Sequence, residues 1–187
     1  AVIEYPKSVV TNTNGNYVAN ENPVSVDYTL SASKGGDYDN GVTTLDLVII
    51  QRHILGMESL NDNYKVIAAD ANNDSRVTAQ DLSELRKLIL GVTNKFANES
   101  WRFPVTGAVV NTNPIAFTEG IQINGLSGDV FGQNFVAVKI GDVNGSVDLS
   151  AQGSSVEARS NDKVSLSIAE ANVAAGELVT IPVTASN

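Results

Sequence analysis

The chain has 187 residues, 42% of them hydrophobic, with 21 acidic against 12 basic side chains, a net charge of −9 and no cysteine. That balance supplies enough apolar material for a folded core and denies the basic footprint that nucleic acid or an anionic membrane demands of a partner. The lack of cysteine removes disulfides, thiolate nucleophiles and cysteine-based zinc sites together, and no apolar run approaches the roughly 18 residues needed for membrane insertion.

At the N-terminus, AVIEYPK has no basic-then-apolar signal sequence, which reads as a mature or excised chain. Ala1 to Ser33 then alternates polar and apolar residues (Val24, Val26, Tyr28, Leu30) and sets Asn14-Gly15-Asn16 between VVTNT and YVAN, the chemistry of a β-hairpin. Segment 1–34 is therefore expected to hold strands. Thirty-odd residues cannot close a sandwich, so they end one that begins elsewhere, pack on the next domain, or form an edge hairpin of one compact domain.

Residues 35–93 contain one unit written twice. Laying His53–Gly56 (HILG) over Leu88–Gly91 (LILG) gives an offset of 35 residues, which also places Asp46 on Asp81, Thr43 on Thr78, Asp39 on Asp74 and Asp37 on Asn72. In the second copy Asp70, Asn72, Asp74, Arg76, Thr78 and Asp81 fall at positions 1, 3, 5, 7, 9 and 12 of an EF-hand loop, Arg76 offering its backbone carbonyl. The alternation has a physical reason. A hard dication takes six to eight oxygens at about 2.3–2.6 Å, and a tightly turning loop directs every second side chain inward. Ser75 stands where such loops carry glycine and must bear a sharp turn that glycine would make freely. The first copy offers Asp37, Asp39, the Gly41 carbonyl, Thr43 and Asp46, but has Gly35 in the opening position. Two Ca2+ sites are expected, the second complete and the first lacking a ligand.

Each loop leads into a helix. Leu45, Val48, Ile49, Ile54 and Leu55 follow helical spacing, as do Leu82, Leu85, Leu88 and Ile89 in the second copy. Asp46 and Asp81 then sit in a first helical turn, where negative charge is favoured, and Gly56 and Gly91 fall at left-handed C-caps. His53, the one histidine, takes the Leu88 position and is read as packing. Between the copies, residues 58–69 are read as a loop and a short turn or helix that carries Tyr64 and Ile67 across the pair.

A duplicated calcium loop with one short helix, each copy ending in ILG, resembles a type I dockerin, over roughly residues 35–92. The resemblance implies an α+β fold: a dockerin-like pair of calcium loop-helix units, here flanked by β-strand-rich segments. It also implies a non-catalytic module that docks to a cohesin-type domain. The docking positions are Thr44, Leu45, Gln51 and Arg52 in the first copy and Ala79, Gln80, Arg86 and Lys87 in the second. Ala79-Gln80 departs from the Ser-Thr pair many of these modules carry there. Calcium modules outside the cell work at roughly 0.1–1 mM affinity, so the metal points to an extracellular or cell-surface location.

Residues 94–148 change character. Trp101, Phe103, Val105, Val109, Ile115, Phe117, Ile121, Ile123, Phe131, Phe135, Val136, Val138 and Ile140 lie among Gly, Asn and Pro, which reads as the short strands of a β-rich annex. KFANESWRFP through FVAVKIGDVNG resembles an extension that follows dockerin-like repeats in large secreted proteins of Bacteroidetes-type bacteria. Its aromatic residues are read as core rather than a sugar platform. The annex ends in Gly141-Asp142-Val143-Asn144-Gly145, a D-x-N-G loop opening without a closing acid. Either Asp142 or Asn144 folds back to supply the ligand Gly35 cannot, or this is an isolated Asx-Gly turn. Asn98-Glu99-Ser100 and Asn144-Gly145-Ser146 also fit a glycosylation acceptor.

Residues 149–162 are small and polar, as linkers are. Residues 163–187 hold two alternating runs around Ala175-Gly176 and are similar to the opening strands of a cohesin-like sandwich, as 1–34 is similar to the last strands of Cna-B-like or carboxypeptidase-regulatory-like ones. Unpaired strands invite pairing with another chain. The alternative function is therefore a calcium-stiffened subunit of an adhesin or filament, a homopolymer whose partner is copies of itself. With no nucleophile elbow, phosphate loop or zinc motif, an enzyme is not expected.

Overall fold

Helices α1 (Thr44–Ile54) and α3 (Ala79–Ile89) are the two copies of the repeat, with α2 (Asn63–Ala69) between them. They belong to a computed structural model that describes residues 8–20, 22–149, 165–168 and 183–186. The chain divides into two units, Ala1–Asp148 and Leu149–Asn187. In both repeat helices the first turn is closed by the same exchange. The Thr43 N–H donates to Asp46 Oδ2 at 2.8 Å and the Thr78 N–H to Asp81 Oδ2 at 2.8 Å, a capping box built with aspartate. Both C-termini close alike. Gly56 and Gly91 adopt φ of +67° and +69°, and the Met57 and Val92 amides reach back to the Arg52 and Lys87 carbonyls at 2.9 and 2.8 Å, the Schellman arrangement.

Helices α1 and α3 pack against each other, and Ile50 and Leu85, at equivalent repeat positions, are both fully buried in the shared core. Leu82, Leu88, Val66, Ile67, Phe96, Ile140 and Val143 extend the same core. The α1 face expected from spacing needs correction: Leu45, Val48 and Leu55 are 54%, 51% and 62% exposed, and Ile50 is the residue buried. The run Leu45-Asp46-Leu47-Val48-Ile49-Ile50 is apolar on nearly every side, so periodicity selects no face. Contact with α3 does. His53 is half-buried and its Nδ1 accepts the Leu60 N–H at 3.2 Å, which ties the end of α1 to the chain that follows.

Short two-stranded ladders surround the helices. Strand β1 (Tyr28–Leu30) pairs with β5 (Ile121–Ile123), β2 (Trp101–Arg102) with β6 (Val138–Lys139), and β3 (Asn111–Thr112) with β4 (Ile115–Ala116), all antiparallel. The expected N-terminal hairpin is reduced to its turn. Gly15, at φ +76°, closes an Asn12–Asn16 loop, but the described flanking residues form no ladder, and β1, the one strand among the described residues of this region, pairs with the annex instead. Phe96 and Trp101 are buried, while Phe131 is 83% exposed. Gly141 threads the annex between the repeats: at φ +90°, a Cβ there would stand 2.9 Å from both Leu85 Cδ2 and Val42 Cγ2.

In the second unit, β7 (Ser165–Ile168) and β8 (Val183–Ser186) pair antiparallel. The segment expected to be a linker lies, past Leu149, outside the described residues. Among the described residues no helix is long and apolar enough to cross a membrane.

Candidate metal centre

The second loop winds through a chain of Asx hydrogen bonds. Asp70, at the end of α2, accepts the Asp74 N–H on Oδ1 at 3.1 Å and the Ser75 N–H on Oδ2 at 3.0 Å. Asn72 Oδ1 accepts the Asp74 N–H and Asp74 Oδ1 the Arg76 N–H, both at 3.0 Å. Asn73 and Ser75 adopt left-handed φ of +61° and +68°, so Ser75 bears the turn the sequence demands of it. The loop is closed onto α3 by Asp81, whose Oδ1 accepts the Asn72 N–H at 3.1 Å.

The annex braces this loop. Buried Asn98 donates from Nδ2 to the Asp70 carbonyl at 2.7 Å, and Arg102 donates from one terminal nitrogen to Asn98 Oδ1 and Asn73 Oδ1 at 3.1 and 3.0 Å. Glu119 grips Arg102 with both oxygens, at 2.9 and 2.6 Å. The Ile115 N–H reaches the Ser75 carbonyl at 2.8 Å. None of these bracing residues carries a local sequence signal, because each meets the loop only through the fold. Asn98 is only 3% exposed and its amide is engaged, so the tripeptide there is structural.

The first loop is built differently. Asp37 Oδ2 accepts Asn40 Nδ2 at 3.0 Å and lies 3.8 Å from Lys34 Nζ. The Asp37 and Tyr38 carbonyls accept Ser100 Oγ and Lys139 Nζ at 3.1 and 2.9 Å. Asp46 Oδ1 instead receives the Val143 and Asn144 N–H groups, at 2.9 and 3.1 Å, from residues 97 and 98 positions away. Farther along, Asn40 pairs with the Asp148 backbone on both sides, at 2.9 and 3.0 Å, and Ser146 Oγ donates to the Gly41 carbonyl at 3.0 Å. Residues 142–148 thus lie along residues 40–46.

Burial pushes Asp46, Asp70 and Asp81 above the usual carboxylate range, against the pull of their amide donors; for Asp70 the charges of Asp81 and Asp74 add to the rise. The donors on Asp46 and Asp81 are backbone amides and threonine hydroxyls, all neutral. Buried carboxylates that keep their charge require a cation, and the all-oxygen set suits a hard divalent one. Asn144 Oδ1 is a further buried oxygen, with no hydrogen-bond partner among the described residues. The residues therefore fit Ca2+. Yet among the described residues no three His, Cys, Asp or Glu side chains converge as they would around a metal ion. The second-loop acids stand in ligand order without being gathered: Asp74 Oδ2 is turned onto Asn72 Nδ2 at 2.9 Å.

All eight positions expected to meet a partner, Thr44, Leu45, Gln51, Arg52, Ala79, Gln80, Arg86 and Lys87, are exposed. Two capped helices, each headed by a buried aspartate tied back to a D-x-N loop segment, define an EF-hand-like module within an α+β unit. Residues 37–90 match the family model of the dockerin type I domain, which makes that segment dockerin-like. Comparison with curated proteins and with solved structures gives no match.

Proposed function

We propose that residues 35–93 form a calcium-binding, non-catalytic docking module that seats a cohesin-type domain outside the cell or at its surface. The observation that carries this reading is the pair of fully buried carboxylates, Asp46 and Asp81, at matching places on two helices whose outward faces are exposed. In the second loop Asp70, Asn72, Asp74, Thr78, Asp81 and the Arg76 carbonyl would hold the ion. Bound there, the ion supplies the positive charge that lets these carboxylates stay ionised away from water, and so fixes the angle between loop and helix.

The two copies offer unequal faces. Leu45 and Val48 stand exposed on α1 where α3 has Gln80 and Ser83. Apolar anchors in the centre of an interface contribute most of its affinity, so α1 is the face we assign to the partner's centre. Capture by an immobilised panel of cohesin domains, with and without chelator, tests the reading. Capture that needs calcium and is lost in Leu45→Asp/Val48→Asp supports it. Capture by none of the panel in saturating calcium removes the docking assignment.

A further inference from the structure

We infer that the first loop is discontinuous: residues 142–146 supply its opening half, and with the Gly41–Asp46 stretch they complete a second divalent-cation site. This inference rests on the calcium reading above and assigns the residues of its weaker site. Three observations carry it.

The first is a correspondence of atoms with the intact loop. Asp70 accepts the amides four and five residues ahead on Oδ1 and Oδ2, at 3.1 and 3.0 Å; Asp142 accepts Ser146 N and Val147 N on the same two oxygens, at 3.0 and 2.8 Å. Asp81 Oδ1 accepts the Asn72 N–H at 3.1 Å, and Asp46 Oδ1 accepts the Asn144 N–H at 3.1 Å. On the other oxygen of each, Thr78 N and Thr43 N sit at 2.8 Å. Asp142, Asn144 and Ser146 thus stand to Asp46 as Asp70, Asn72 and Asp74 stand to Asp81.

The second is the splice point. On this correspondence Val147 matches Ser75 and Gly41 matches Arg76, which are bonded neighbours in the intact loop. In the divided one, a Cβ on Gly41 would lie 2.7 Å from Val147 Cα and 2.9 Å from Asp142 Oδ2. The chains meet where the covalent link would run, and only glycine allows that approach. The third is the Asn144 side chain. It occupies the position-3 ligand place, and its Oδ1 is buried with no partner among the described residues.

The same geometry relieves Asp37 and Asp39 of the ligand role their spacing suggests. Asp37 is engaged by Asn40 and Lys34, and Asp39 is exposed.

The test is a calcium count and titration on the full chain, stripped by chelation and followed by native mass spectrometry and calorimetry with CaCl2. Wild type should take two ions. Asn144→Ala removes an oxygen that no described residue uses, so the fold should persist while first-site affinity falls about tenfold or more and the second site is unchanged. Asp142→Asn should do the same, and Asp37→Asn/Asp39→Asn should still bind two ions. Two ions at unchanged affinity in both Asn144→Ala and Asp142→Asn would overturn the divided loop. So would loss of one ion in Asp37→Asn/Asp39→Asn. A wild type that binds a single ion, lost in Asp70→Asn, also removes the divided loop but leaves the calcium module standing. A wild type that binds none removes both.

Discussion

Two residues in left-handed backbone set opposite demands. Ser75 holds φ +68° with a side chain, at a cost of about 1–2 kcal/mol relative to glycine. Ser75→Gly should therefore stabilise the unit by about 1 kcal/mol in urea titration. Gly41→Ala should do the reverse and more, since its new Cβ meets Val147 Cα at 2.7 Å, whereas Gly56→Ala, at φ +67° with open space around it, should cost only about 1 kcal/mol. Lys139 carries a different signature. Burial lowers its ammonium from 10.5 to about 8, while Asp37, Asp142 and Asp39 resist the fall. Between those values the unfolded chain holds the proton that the folded one has released, so stability rises as pH climbs through that window and is flat for this group below it. The full rise is roughly 3 kcal/mol, and Lys139→Met should abolish it when urea midpoints are compared between about pH 7 and 10.

At the level of helices, the repeat offset was the most informative feature of the chain. It pairs Ile50 with Leu85, and both are fully buried in the shared core. Leu85→Ala should cost about 2–5 kcal/mol, while Leu45→Ala on the exposed face should change stability by less than about 0.5 kcal/mol, both read by thermal melting. Caps were equally legible. Gly56 and Gly91 stand at the C-caps where local chemistry places them, because a cap is satisfied within a few residues of its own helix. The apolar face of α1 was not legible from spacing, since an almost uninterrupted apolar run has no periodicity to read. Nor was the pairing of β1 with β5. A three-residue strand specifies no partner until the rest of the unit brings one to its edge.

Across the molecule, the loops and the annex are joined. Asn98 holds the Asp70 carbonyl, and Val143 and Asn144 hold Asp46. Removing calcium should therefore loosen more than the loops. With calcium at 100 times its dissociation constant, each site that binds it would contribute about 2.7 kcal/mol. Hydrogen exchange after chelation should speed at the amides of Asn72, Asn98, Val143 and Asn144 together, and acceleration confined to Asn72 would show that the annex stands independently. The sequence alone determined the twofold loop-helix repeat, the alternation of its oxygen-bearing residues and its C-caps, because each is encoded by residues within about a dozen positions of one another. Only the tertiary structure decided what meets each of those acids. Asp46 is met by residues almost a hundred positions away, and a contact of that range depends on the path of the intervening chain, which no local spacing records.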